Sequence, residues 1–502
     1  MTTGRGAALG EHVSMHPSMT RTAALALCLA VAGSAHAAPC KEQPGAAARR
    51  QAVEQGLLPA VVFDGEEQPR TLAARMAEHG VPGLAVAVLR GGEVDWVAVY
   101  GRRAMQAPAV SCATLFQAGS LAKPVTVLAA LRLQDAGRLD WDRDVNGLLT
   151  SLRLPAGRQT PDHPVTLRGL LAHTAGITPG GYPGYAQAGP VPTVLEVATA
   201  APGTNTPRPE VVLPPGEQLR YSGGGYTLAQ IAMQDSQKLA FEPLMQRWLF
   251  QPLGLRHATF ALQRQSAGGD VAAGHQGDAA PVPGGWLHLP ESAAAGLWSD
   301  AGDLATLLTE LRKGWQGRSQ VFRKSSMRAL LDTPVEGHLY GFRLIGEGEQ
   351  QVLVHYGGTT GYNAGMAINL HTGDGVVYLA NADAGRALSA ELLAAVSRAY
   401  GWTQFRETRV RRAAVDEAAL QGLAGRYLFA AMGVRVQIEQ AKAQLTLVFP
   451  NGDRLALTPI AADGVPLQFI HPTGVRVGFQ RGEAGAVTMQ LYGDQGVREN
   501  SP

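Results

Sequence analysis

At 502 residues, with 45% of them hydrophobic, the chain exceeds one ordinary domain and can bury a large core, which implies two domains plus processed ends. Its 43 Lys and Arg nearly cancel its 41 Asp and Glu, and no run of six like charges occurs. This balance excludes a nucleic acid or an anionic membrane surface as the main partner and favours a small, roughly neutral ligand.

In chain order, the first signal is Arg21, an apolar stretch from Ala23 to Ala32, and the small-x-small triplet Ala35-His36-Ala37. That order predicts a cleaved signal peptide over 1–37, too short to remain as a transmembrane anchor, and a periplasmic or secreted protein. Cys28 leaves with this segment. Cys40 and Cys112 then remain, as a disulfide in an oxidising compartment or as two unrelated thiols. An N-terminal extension over 38–69 precedes the first domain. A helical pattern runs from about Ala46 to His79. Next, Gly83 to Leu89 and Val94 to Tyr100 flank Arg90-Gly91-Gly92-Glu93 as a β-hairpin. A buried helix follows through Val127, Leu128, Leu131 and Leu133 and closes at Gly137.

From about Leu139 to Leu331, short helices and Pro- and Gly-rich loops read as a helical insertion. Strands return at Gln351 to His355, Ala364 to Leu370 and Gly375 to Ala380, followed by a helix from about Leu388 to Tyr400. Strands at both ends with helices between predict an α+β fold, an antiparallel sheet flanked by helices, over 70–402. A linker at 403–415 leads to short alternating strands over 416–502, the pattern of a small all-β barrel.

Chemistry concentrates in three places. Gly119-Ser120-Leu121-Ala122-Lys123-Pro124 opens the buried helix, and residues at i and i+3 share a face, so Ser120 and Lys123 can meet. Pro124 is tolerated in the first turn. Only six basic residues are lysines, and lysine, unlike arginine, can act as a base when buried. Tyr221-Ser222-Gly223 supplies a tyrosine able to relay a proton. His355-Tyr356-Gly357-Gly358 ends a strand in glycines, where a substrate can approach and the Gly358 N–H can serve as an oxyanion donor. Each feature also has a plain alternative: an accidental S-x-x-K match, a loop tyrosine, a structural histidine.

Together and in this order, the three features resemble the serine β-lactamases, D,D-peptidases and related esterases, the class C-like branch in particular, over about 75 to 400. Val165 to Gly176 and Gln251 to Thr259 match secondary landmarks of that family. Leu423-Ala-Gly-Arg-Tyr427 opens a segment similar to its appended lipocalin-like barrel. The resemblance implies that Ser120 is acylated, that Tyr221 and Lys123 shuttle protons, that the N–H groups of Ser120 and Gly358 hold the oxyanion, and that His355 and Gly357 line the cleft. It implies neither cofactor nor metal, and the histidines show no H-x-H or H-E-x-x-H spacing. Gly223 stands where the family has Asn, and His355 where it has Lys, so an ester or D-amino-acid amide is favoured over a β-lactam. A β-lactamase or D,D-carboxypeptidase proper and a catalytically silent binding protein are the alternatives. Oligomeric state is left open.

Overall fold

The computed structural model describes residues 38–261, 269–277, 279–332, 334–430, 434–461, 467–482 and 486–499. The expected signal peptide lies outside them. Among the described residues no helix is long and apolar enough to cross a membrane.

The chain begins with β1 (Ala38–Glu42), α1 (Ala46–Gln55), β2 (Val61–Phe63) and α2 (Leu72–Glu78). The continuous helix expected from Ala46 to His79 is therefore two helices around a strand. Gly56 caps α1, Pro59 and Gly65 interrupt the helical pattern, and Thr71 restarts it by accepting the Ala74 N–H. The hairpin forms as expected: β3 (Gly83–Arg90) and β4 (Glu93–Gly101) turn through Gly91 and Gly92, both at positive φ. The segment around Ser120 follows as β5 (Phe116–Gly119) and α3 (Ala122–Asp135). Within the helical insertion, α4 (Gly223–Gln237) leads on to β6 (Leu297–Ser299) and α5 (Ala301–Gln316). The sheet is completed by β7 (His338–Leu339), β8 (Phe342–Ile345), β9 (Val352–Thr359), β10 (Tyr362–Ile368) and β11 (Gly375–Ala380), and α6 (Gly385–Tyr400) covers it.

These strands form one eight-stranded antiparallel sheet in the order β1-β4-β3-β11-β10-β9-β8-β7. Alternate side chains enter two cores, as the period of two requires. Ala85, Ala87 and Leu89 join the core built around α3 and α5, whereas Leu84, Val86 and Val88 join the core beneath α1 and α6. Helices on both faces explain why β3 reads as an uninterrupted apolar run. Residues 38–69 take part directly, since β1 extends the sheet along β4.

Cys40 of β1 and Cys112, in the approach to β5, are joined in a disulfide with Cα atoms 5.6 Å apart. After α6, β12 (Thr408–Val410) pairs in parallel with β2. Eight strands from Gly425 to Arg498 then close into a barrel whose interior is filled by Tyr427, Phe429, Leu445, Leu447, Phe469, Phe479 and Met489. The barrel is thus a packed core, with its first and last strands joined at Leu428 and Val497.

Candidate active site

Ser120 sits in the turn between β5 and α3, at the seam where the sheet meets the helical insertion. The Lys123 N–H donates to the Ser120 carbonyl at 3.0 Å, so both residues occupy one tight turn, and Pro124 falls within the first turn of α3. Lys123 Nζ lies 3.2 Å from Ser120 Oγ and donates to the Ala294 carbonyl at 2.7 Å. The lysine is almost wholly buried, and burial lowers its pKa against the opposing pull of Tyr221. Its ammonium position also faces the rings of Tyr221 and Tyr226, at 4.7 and 5.6 Å from their centroids.

Tyr221, across the insertion, donates its hydroxyl to Ser120 Oγ at 3.0 Å. Two local devices hold it there. Ser222 caps α4 by accepting the Gly225 N–H at 2.7 Å. The Ser222 N–H in turn donates to Nδ1 of His173, whose ring lies 4.6 Å from that of Tyr221. Because Nδ1 accepts, the proton of the neutral imidazole sits on Nε2, and burial first, then the charge of Lys123, holds the His173 pKa well below its ordinary value. His173 belongs to the Val165 to Gly176 landmark, but nothing in the sequence ties it to Tyr221.

The third motif meets the first backbone to backbone. A Cβ on Gly357 would lie 2.0 Å from the Ala118 carbonyl oxygen, and one on Gly119 would lie 2.9 Å from the Gly358 nitrogen. Gly119 also takes a positive φ of 53°, which a glycine accepts without strain. Strand β9 pairs with β8 over 352–354, and among the described residues that pairing does not continue past Val354. His355 lies against the backbone carbonyls of Gly341 and Ser120, and burial above all pushes its pKa down to about 3. It lines a cavity of about 200 Å³ with His173, Tyr221, His338, Arg343 and Tyr356. Arg343 is the cation of this cavity that the sequence did not single out; it comes from β8, a strand too short to show a period.

Gly223 sits two residues past Tyr221, and its missing side chain is accounted for by a neighbour. A Cβ there would lie 3.0 Å from Cε2 of Tyr182 and 3.1 Å from the Gly180 carbonyl oxygen. Tyr182 is anchored through its hydroxyl to Thr227 Oγ1 at 2.6 Å. One possible metal-ligand cluster, His257, Asp300 and Asp303, lies elsewhere, and its carboxylates are already engaged. Asp303 accepts the N–H groups of Arg256, His257 and Ala258, and Asp300 caps α5 and pairs with His257.

The Beta-lactamase family model matches residues 69–399. The chain is 28% identical over 235 residues to penicillin-binding protein 4 of Amycolatopsis lactamdurans, covering 46% of this chain and 59% of that one. It is 26% identical over 200 residues to protein flp of Staphylococcus aureus strain MW2, covering 39% of each. It thus spans less than two thirds of either relative. The octameric penicillin-binding protein homologue from Pyrococcus abyssi shares the fold with a TM-score of 0.58 at 20% identity, over 85% of this chain and 98% of that one.

Proposed function

Since the chain belongs to the beta-lactamase family, we propose that it is an exported serine hydrolase that cleaves ester or amide substrates through an acyl-enzyme, as an esterase or D-amino-acid peptidase. The observation that carries the reading is the convergence of Lys123 Nζ and the Tyr221 hydroxyl on Ser120 Oγ, at 3.2 and 3.0 Å.

In the proposed cycle, Lys123 and Tyr221 accept the Ser120 proton as Oγ attacks the substrate carbonyl carbon. The N–H groups of Ser120 and Gly358 stabilise the resulting oxyanion. Collapse breaks the bond to the leaving alcohol or amine, which takes up the relayed proton. Water then attacks the acyl-enzyme with the same groups as base, releasing the acid and restoring the Ser120 hydroxyl. A buried lysine with a lowered pKa suits the base role, because its neutral form is accessible.

Two features favour this reading over an efficient β-lactamase. Gly223 offers no side-chain amide to a substrate amide, and His355, with a pKa near 3, brings no positive charge to a substrate carboxylate at neutral pH, which leaves that charge to Arg343 of the same cavity. The Cys40–Cys112 disulfide supports an oxidising compartment, in keeping with export.

The test is turnover of p-nitrophenyl butyrate by wild type and Ser120→Ala, with intact-mass detection of a fluorophosphonate adduct. Ser120-dependent turnover and a single adduct are expected. Ester hydrolysis that survives the alanine change overturns the nucleophile, and absence of both turnover and adduct favours the silent binding protein.

A further inference from the structure

The barrel is plugged at one end and not at the other. Its strands alternate in direction, so the strand ends at Phe429, Val448, Ile470 and Leu491 fall together. At the opposite end, where Gly425 begins the first strand, Leu420 and Leu423 of the incoming segment are 1% and 0% exposed and cover the core. At the Phe429 end, among the described residues, the last apolar layer has no such cover. Val434, Phe449, Leu455 and Val475 pack on the core but stay only half-buried. These four side chains line a cavity of about 1150 Å³, as large as the pockets that hold drug-sized ligands.

The catalytic domain supplies the far wall of this cavity through Arg386, in the first turn of α6. That turn is a fixed platform. Asp383 accepts the Gly361 N–H at 2.6 Å, and a Cβ on Gly385 would lie 2.8 Å from Cβ of Ala380. Arg476 lines the cavity from the barrel side. Among the described residues neither guanidinium has an ion-pair or hydrogen-bond partner. Four other arginines of the barrel are engaged: Arg435 with Glu499, Arg454 with Glu439, and Arg481 and Arg498 with backbone carbonyls. The one carboxylate of the lining, Asp453, accepts the Asn451 side-chain amide at 2.7 Å within its own turn. Two uncommitted cations therefore face an uncovered apolar layer.

We propose that the unplugged end of the barrel and Arg386 form a binding site for a small amphiphilic anion, an acyl or aryl body carrying one acidic group. The apolar body covers Val434, Phe449, Leu455 and Val475, which removes their exposed surface from water. The acidic group lies with Arg386 and Arg476, whose planar guanidinium donors suit carboxylate oxygens. This cavity shares no lining residue with the one beside Ser120, so the inference stands apart from the hydrolase reading. An occupant would touch both domains and hold the barrel against the start of α6.

The experiment is isothermal titration calorimetry of the full chain with octanoate, octanamide and acetate. The first two differ only in charge, and acetate keeps the charge without the apolar body. Wild type is expected to bind octanoate saturably, at least about tenfold more tightly than octanamide, and to give no saturable heat with acetate. The double variant Arg386→Gln with Arg476→Gln is expected to weaken octanoate by about tenfold and leave octanamide within about twofold. Both side chains are exposed, and an unchanged urea midpoint checks the fold. Should the double variant fail to fold, each single variant decides, with a loss of about threefold expected. Equal affinity for octanoate and octanamide, saturable acetate binding, no octanoate binding by wild type, or octanoate affinity unchanged in the variants overturns the proposal. Octanoate binding that is lost in Arg343→Gln and kept in the double variant places the anion in the Ser120 cavity and overturns it as well.

Discussion

Lys123 can serve as a base only by giving up its proton inside the protein, and its burial beside two tyrosine rings makes that possible. Arginine cannot do this. Lys123→Arg is therefore expected to lower kcat/KM on an aryl ester by about 10³-fold, read by steady-state kinetics. Gly223 carries a second prediction. Restoring the family's residue with Gly223→Asn drives a side chain into Tyr182 and the Gly180 carbonyl, so the substitution should destabilise the fold by about 1–3 kcal/mol in urea denaturation. The Ser120 and Lys123 pair was legible from its three-residue spacing ahead of a buried helix, although Ser120 lies in the turn before α3 and not on the helix itself. Tyr182 was not legible, because it reaches Gly223 from a Gly- and Pro-rich loop about 40 residues away that has no period to read.

At the scale of the element, the hairpin β3–β4 and the strands β10 and β11 were readable from apolar runs bounded by turn residues. β1 was not. It is a largely exposed edge strand containing Pro39, Lys41 and Glu42, a composition that hides a strand but suits an edge. The disulfide supplies what its sparse burial does not. It closes a 72-residue separation, for which loop-closure entropy alone predicts roughly 4 kcal/mol of stabilisation. Replacing Cys40 and Cys112 together by serine is expected to lower stability toward that limit, and dithiothreitol should move wild type but not the double variant in the same thermal melt.

For the whole molecule, buried titratable groups set opposite slopes of stability with pH. His355 has its folded pKa pushed down to about 3, so its contribution is complete above its ordinary value near 6.5 and is lost as pH falls toward 3. Glu291 has its folded pKa raised to about 7 from 4.5, so its contribution is complete below 4.5 and is lost as pH rises through 7. Glu291→Gln is thus expected to gain stability relative to wild type between pH 4.5 and 7.5, as a rising difference in urea midpoints. The barrel was legible from evenly spaced alternating strands, although its first and last strands, Gly425–Phe429 and Asp494–Arg498, close it only through long-range pairing. The pairing of β3 with β11 joins Leu84 to Ala380 across roughly 300 residues of chain. Ser120 and Lys123 leave the ribosome early, but Gly358, the proposed oxyanion donor, and the central strand of their sheet arrive late. A nascent chain that stops before β11 is therefore expected to carry the proposed nucleophile without a working site, so the proposed hydrolysis should begin only when synthesis of the sheet is complete.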